Sequence, residues 1–402
     1  MDQTRMARLV ELFRRDGCDA LICRAPQQVL MLTGYLPILG NSFCLASLNG
    51  SGEPEVRLVI PKDEEDLVPP GVAVDLRTFS EETMHSIENT IQAARGPLAD
   101  VLSGAGLAHG ASIGYEGGYA PIATAYTQVG VTGPATLELL REVLPGMQWR
   151  DASSLLDELA AVKTEHELAG IRLSEEAALH AFHAARDAIA PGTTEAGVAA
   201  TVCGSLLRSG HRSARVQVLS HVHVMSGPRA ALAYRAFNLT SIRPLEHGDP
   251  VTVQLEIGID GCWAELTRTF FAGDASDEWR RAHAACMRAQ DAALAIIRDG
   301  IGAREADEAA RAVMRQAGFG DAFKHGLGHG IGLQAINHGA LPRLHPASND
   351  VLRTGMVHNI EPAVYLDGKG GLRLNDNVHV QAGGNEVLSS AVPRDLDWLV
   401  TP

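Results

Sequence analysis

The chain has 402 residues, 46% hydrophobic and 20% charged, with a mean hydropathy near zero; this is the balance of a soluble globular protein of about two domains, not of a disordered one. A formal net charge of -14 argues against a nucleic-acid groove or an anionic membrane surface, and no apolar run approaches a membrane span. Cys18, Cys23, Cys44, Cys203, Cys262 and Cys286 form no CxxC pair and no zinc spacing, so they read as reduced, mostly buried thiols of a cytoplasmic protein.

Residues 3–17 carry charges throughout an amphipathic pattern, which predicts a helix and does not fit a signal peptide. Strands at Asp19–Cys23, Phe43–Leu48, Val56–Ile60 and Ser112–Glu116 alternate with helices at Glu81–Leu102 and Ala135–Val143. Such alternation predicts an α/β domain over residues 1–152, closed by the Pro145-Gly146 break and the polar run to Ser154. A second domain over residues 153–402 opens with Thr164 and Glu167 at capping-box spacing. Its first helix runs to Ala190, where Pro191-Gly192 stops it, and the next spans Thr194–Ser209.

Val251–Phe271 is the stretch around which the second domain is organised. Val251, Val253, Leu255 and Ile257 alternate with other residues, so Gln254 and Glu256 share the opposite face. Asp260-Gly261 predicts a two-residue hairpin turn, and the returning arm puts Glu265, Thr267 and Thr269 on one face. Taken alone, such an acidic face is more often solvated than functional. The segments Ile189–Gly210 and Ile297–Gly318 resemble each other at an offset of 108 residues, and Gly248 and Gly355 precede similar strands at an offset of 107. Gln254 thereby corresponds to Glu361. A pseudo-twofold α+β domain follows, with its site where the two halves meet. HGLGHGIGL then sets His325 and His329 four apart in a glycine-rich loop. Glu361 falls in the apolar strand VHNIEPAVY, where an unpaired carboxylate is costly. A final hairpin, GLRLNDNVHV, places Asn375 and Asn377 on one face.

These pieces, in this order, resemble the pita-bread family of creatinase, aminopeptidase P, prolidase and methionine aminopeptidase. DALICRAPQQVLMLTGY looks like the family's N-terminal domain; GDPVTVQLEIG, AELTRTFF, HGLGHGIGL, GMVHNIEPAVY and LRLNDNVHV match successive motifs of its catalytic domain. The resemblance implies a creatinase-type α/β domain before a pita-bread domain, in a homodimer. Family peptidases hold two divalent metals with two Asp, one His and two Glu. Position by position, those ligands fall here on Gln254, Glu265, His329, Glu361 and Asn375. Two are neutral amides, poor partners for manganese or zinc, and paired cations need bridging anions. Glu256 is the obvious replacement carboxylate. Tyr234 occupies the place of the family's proton-donating His, Thr267 that of a creatinase acid, and Gly40 and Ser42 those of creatinase's substrate carboxylate holders. A further family His falls on Ile336 without a gap, or on His338 with a short insertion.

The expected function is metal-independent hydrolysis of a carbon–nitrogen bond in a small amide, amidine or peptide-like molecule. Glu361, Glu265, His329 and Tyr234 are the expected catalytic residues; Gln254, Glu256, Asn375, His325, His338, His223 and Arg373 are expected to bind substrate. No cofactor is expected; the alternative is a single Mn, Zn or Fe ion on Glu265, His329 and Glu361. Alternative functions are a metal-dependent Xaa-Pro peptidase, a lyase or rearrangement enzyme, and a binding protein with a dead site. No nucleic-acid or membrane partner is expected.

Overall fold

The structure is a computed structural model and describes residues 2–85, 87–117, 133–209, 218–234, 240–335 and 338–401. Ile336 lies outside these. The described chain divides into two compact units, one ending at Ala160 and the other starting at Ala161.

The first unit contains α1 (Gln3–Asp16), β1 (Ala20–Cys23), α2 (Pro26–Thr33), β2 (Phe43–Leu48), β3 (Pro54–Pro61), β4 (Asp75–Phe79), α3 (Thr90–Ser103), β5 (Ser112–Tyr115), α4 (Pro134–Val143), β6 (Gln148–Asp151) and α5 (Ser153–Ala161). Its strands form one mixed sheet in the order β4-β3-β2-β1-β5-β6. α3 starts later than the expected Glu81, because the Asn89 side chain accepts from Gln92 N and Gln92 answers with a reciprocal bond, fixing the first turn there. α5 belongs to this unit, one helix beyond the boundary expected at residue 152. The buried Arg5 guanidinium donates to Leu159 O, and Arg15 pairs with Glu158.

The second unit contains α6 (Glu165–Ala188), α7 (Glu195–Ser209), β7 (Val218–Ser226), β8 (Pro250–Ile259), β9 (Cys262–Ala272), α8 (Asp277–Leu294), α9 (Ala303–Gln316), β10 (Val357–Ile360), β11 (Ala363–Leu366), β12 (Gly370–Arg373), β13 (Asp376–Gln381), β14 (Gly384–Val387), α10 (Leu396–Leu399) and β15 (Val400–Thr401). Three sheets result, in the orders β15-β9-β8-β7, β10-β13-β14 and β11-β12. Thr164 and Glu167 form the capping box that starts α6. α6 packs on α7, and α8 on α9. α9 starts 108 residues after α7, and β10 starts 107 after β8, which gives the sequence repeat its structural form.

β8 and β9 are joined by Asp260 at φ 49 and Gly261 at φ 82, the positive-φ pair that a tight hairpin requires. Val251, Val253, Leu255 and Ile257 point into the main apolar core with Leu266, Phe270 and the helices. The opposite face is also shielded: every residue of β8 and of β9 is buried. A solvated acidic face is therefore not what the hairpin carries. Two further expectations change. Glu361 is not in mid-strand but in the break between β10 and β11, beside Pro362. The expected final hairpin is instead two strands of different sheets, β12 pairing with β11 and β13 with β10 and β14. Asn375 sits in the break between them.

Candidate active site

Three backbone segments converge on the polar face of β8 and β9. Register alone sets Glu256 opposite Glu265, Gln254 opposite Thr267, and His223 of β7 opposite Gln254. The break before β13 adds Asn375, bridged to Thr267 through both backbone bonds. The glycine-rich loop lies against β10 by alternate contacts: Glu361 N donates to Leu327 O at 2.7 Å, Asn359 N to His329 O at 3.0 Å, and His329 N to Asn359 Oδ1 at 2.7 Å. A Cβ on Gly328 would stand 2.2 Å from Asn359 O, so glycine is what permits this approach. These bonds fix His329 and Glu361 beside Glu265.

A cavity of about 480 Å³ opens there. Of the residues expected at the site, Tyr234, Glu265, His325, His329, His338, Glu361 and Arg373 line it. Gln254, Glu256, Asn375 and His223 do not reach its wall; they are buried behind it as a hydrogen-bonded layer. Arg343, His345, Ser348 and Asn349 also line the cavity, and the sequence reading missed them. They lie in an irregular segment with no periodicity to follow; the polar run just downstream of the glycine-rich loop was the available signal.

The layer behind the wall is continuous. His223 Nε2 lies 3.0 Å from Glu256 Oε2, while Gln254 Nε2 donates to Glu256 Oε1 at 2.5 Å. Gln254 Oε1 in turn accepts from Arg373 Nη2, and Arg373 Nη1 stands 3.4 Å from Glu361 Oε2. On the other side, Glu265 Oε2 is 3.4 Å from His329 Nε2, and Asn375 Nδ2 donates to Glu265 Oε1 at 3.4 Å. His325 reaches Tyr365 Oη at 3.1 Å, and the Tyr234 ring packs against that of Tyr365, 5.3 Å between centroids.

Three carboxylates around one guanidinium leave the site rich in negative charge. Burial raises the Glu361 carboxyl to about 7, with Glu265 adding to the rise and Arg373 opposing it. Burial, then Glu256, also pushes Glu265 upward, against the pull of Arg373. Burial works against the charge on Arg373, yet Tyr365, Glu361, Glu265 and Glu256 hold its pKa above the ordinary value. Burial and Arg373 lower the half-buried His325 to about 3, so it is a neutral imidazole at neutral pH. The arrangement can hold a water or a polar substrate between a carboxylate of near-neutral pKa and an imidazole.

The donor set does not fit a dinuclear metal centre. Gln254 and Asn375 bring no charge, and Glu256 has one oxygen toward His223 and the other accepting from Gln254. A guanidinium stands against Glu361. Among the described residues, no group of three or more His, Cys, Asp or Glu is placed to hold a metal ion.

Comparison with known proteins adds the lineage. The chain is 34% identical to the probable dipeptidase PepE of Mycobacterium tuberculosis over 269 residues, which is 66% of this chain and 68% of that protein. It is 29% identical to the Xaa-Pro dipeptidase of Pyrococcus furiosus over 260 residues, 65% of this chain and 72% of the relative. The crystal structure of the prolidase from Pyrococcus horikoshii superposes with a TM-score of 0.78 at 24% identity, covering 98% of this chain and 100% of that one, and so shares the pita-bread fold. The sequence model of metallopeptidase family M24 matches residues 169–382, which include every wall and backing residue named above, and the chain belongs to that family.

Proposed function

We propose that this chain hydrolyses a carbon–nitrogen bond of a small amide, amidine or peptide-like substrate without a metal ion. The observation that carries this reading is the buried run from His223 through Glu256, Gln254 and Arg373 to Glu361, which occupies ligand positions with protein partners. Glu361 takes a proton from the attacking water as its oxygen bonds to the substrate carbon. Tyr234 donates to the oxygen or nitrogen on which charge develops. His329, beside Glu265, delivers a proton to the nitrogen as the carbon–nitrogen bond breaks, so that water is added across the bond.

A second reading is favoured by the relatives' names: a metal-dependent peptidase cleaving before proline, as "Xaa-Pro dipeptidase" says of the Pyrococcus furiosus protein. One panel separates the two. Purified protein is offered Xaa-Pro dipeptides and small amides and amidines in ¹⁸O-water, with added Mn²⁺ or with EDTA. The first reading expects turnover in EDTA, one ¹⁸O in the acyl product, and loss of turnover in Glu361→Gln. Turnover of Xaa-Pro dipeptides only with Mn²⁺ would establish the second.

A further inference from the structure

The glycine-rich loop is entered through a segment that one guanidinium holds on both sides of Lys324. Arg311 of α9 donates from Nη1 to Phe323 O at 3.2 Å and from Nη2 to His325 O at 2.8 Å. Asp307, one turn earlier in α9, accepts from Nε and Nη2 of that guanidinium at 2.8 and 2.9 Å, and from Leu327 N at 2.9 Å. The base of the Lys324 side chain is fixed in this way. Its tip is fixed too, because Nζ donates to Asp367 Oδ1 at 2.9 Å. Held at both ends, the ammonium stands 5.0 Å from the centre of the Tyr234 ring, within range of a cation–ring contact. That ring also packs on Tyr365, whose hydroxyl lies 3.1 Å from His325 Nε2. Two consecutive residues, Lys324 and His325, thus grip the aromatic pair from separate sides.

We propose that Lys324 is the positioning residue of Tyr234: its ammonium fixes the ring at the cavity wall and strengthens the phenol as a hydrogen-bond donor. A cation over the ring face draws electron density from it, which favours the state in which the hydroxyl shares charge developing on the substrate. Lys324 is not part of the cavity wall and acts through Tyr234. The inference rests on the role proposed above for Tyr234 and names the group that tunes it.

Initial rates on the amide or Xaa-Pro dipeptide that the wild type hydrolyses in the panel above test it, with Tyr234→Phe as the second background. Lys324→Met is expected to lower kcat on the order of fivefold with little change in KM, the scale of one cation–ring contact. Lys324→Arg keeps the cation and is expected to recover most of that loss. Lys324→Met added to Tyr234→Phe is expected to cost nothing further, since the hydroxyl it tunes is gone. If Lys324→Met folds poorly, Asp367→Asn, at an exposed position, loosens the ammonium instead and is expected to lower kcat in the same sense. Unchanged kcat in the variants that fold, or an equal loss in both Tyr234 backgrounds, overturns the inference. Unchanged kcat in Tyr234→Phe alone, or no turnover of the panel by the wild type, is a different failure, because it removes the proposed function on which the inference rests.

Discussion

Arg268 offers the sharpest test of how the site is held in place. The side chain is fully buried, and all its donors are used. Nε donates to Pro393 O at 2.9 Å, Nη1 to Thr267 O and Asn375 O at 3.0 and 2.9 Å, and Nη2 to Asp376 Oδ1 at 2.6 Å and Val392 O at 3.0 Å. It therefore ties β9 to the break that carries Asn375 and to the segment before α10. Replacing it in Arg268→Met keeps much of the volume but leaves Asp376 as a buried charge with only Ser389 and Gln290 as partners. Breaking a buried pair from one side costs about 3–5 kcal/mol. For a unit of this size that corresponds to a fall in melting temperature on the order of 10 °C. Thermal melting by circular dichroism measures it directly. Asp376→Asn in the same background removes the stranded charge and is expected to recover part of the loss, so the two changes are strongly non-additive. An Arg268→Met protein melting within about 2 °C of wild type, or a double variant with simply additive losses, would refute the reasoning.

Two other predictions concern single side chains. Glu175 is buried, receives one bond from Asn377 Nδ2, and is raised by burial from 4.5 to about 8. A carboxyl whose folded pKa is raised contributes its stability at low pH and loses it as pH climbs from about 4.5 through about 8. At about 1.4 kcal/mol per unit, Glu175→Gln is expected to match wild type near pH 5 and to exceed it by several kcal/mol above pH 8, as read by urea unfolding at each pH; equal stability at alkaline pH would contradict this. Tyr234→Phe removes the proposed hydrogen-bond donor from the cavity wall while retaining its ring packing on Tyr365. A roughly hundredfold drop in kcat with little change in KM is expected; unchanged kcat would remove Tyr234 from the chemistry.

The sequence carried the elements whose signals are local. The capping box at Thr164 and the turn at Asp260-Gly261 depend on residues near one another in the chain, and the repeat offsets compare two patterns that are each local; all three reappear in the structure. Strand alternation also put Gln254, Glu256 and Glu265 on one face, but alternation gives a face and not a depth. Only the packed structure separates Glu265 on the cavity wall from Gln254 and Glu256 behind it. Periodicity likewise ran past Leu374-Asn375, because the break is made by pairing partners, β11 on one side and β10 on the other, that lie elsewhere in sequence. Arg373 was legible as a candidate for substrate, whereas its bonds to Gln254 and Glu361 join residues over a hundred and about ten positions away and needed the fold. The wall supplied by Arg343, His345, Ser348 and Asn349 belongs to a segment without regular structure, which no periodic pattern announces.

The central claim is the proposal that this member of family M24 hydrolyses its substrate without the metal that its family name expects. Its most direct test is the metal content of the purified protein by mass spectrometry, with turnover measured before and after exhaustive chelation. Substoichiometric metal and undiminished turnover are the predicted result. Two tightly held divalent ions per chain, with turnover lost on chelation and restored by adding them back, would contradict the account.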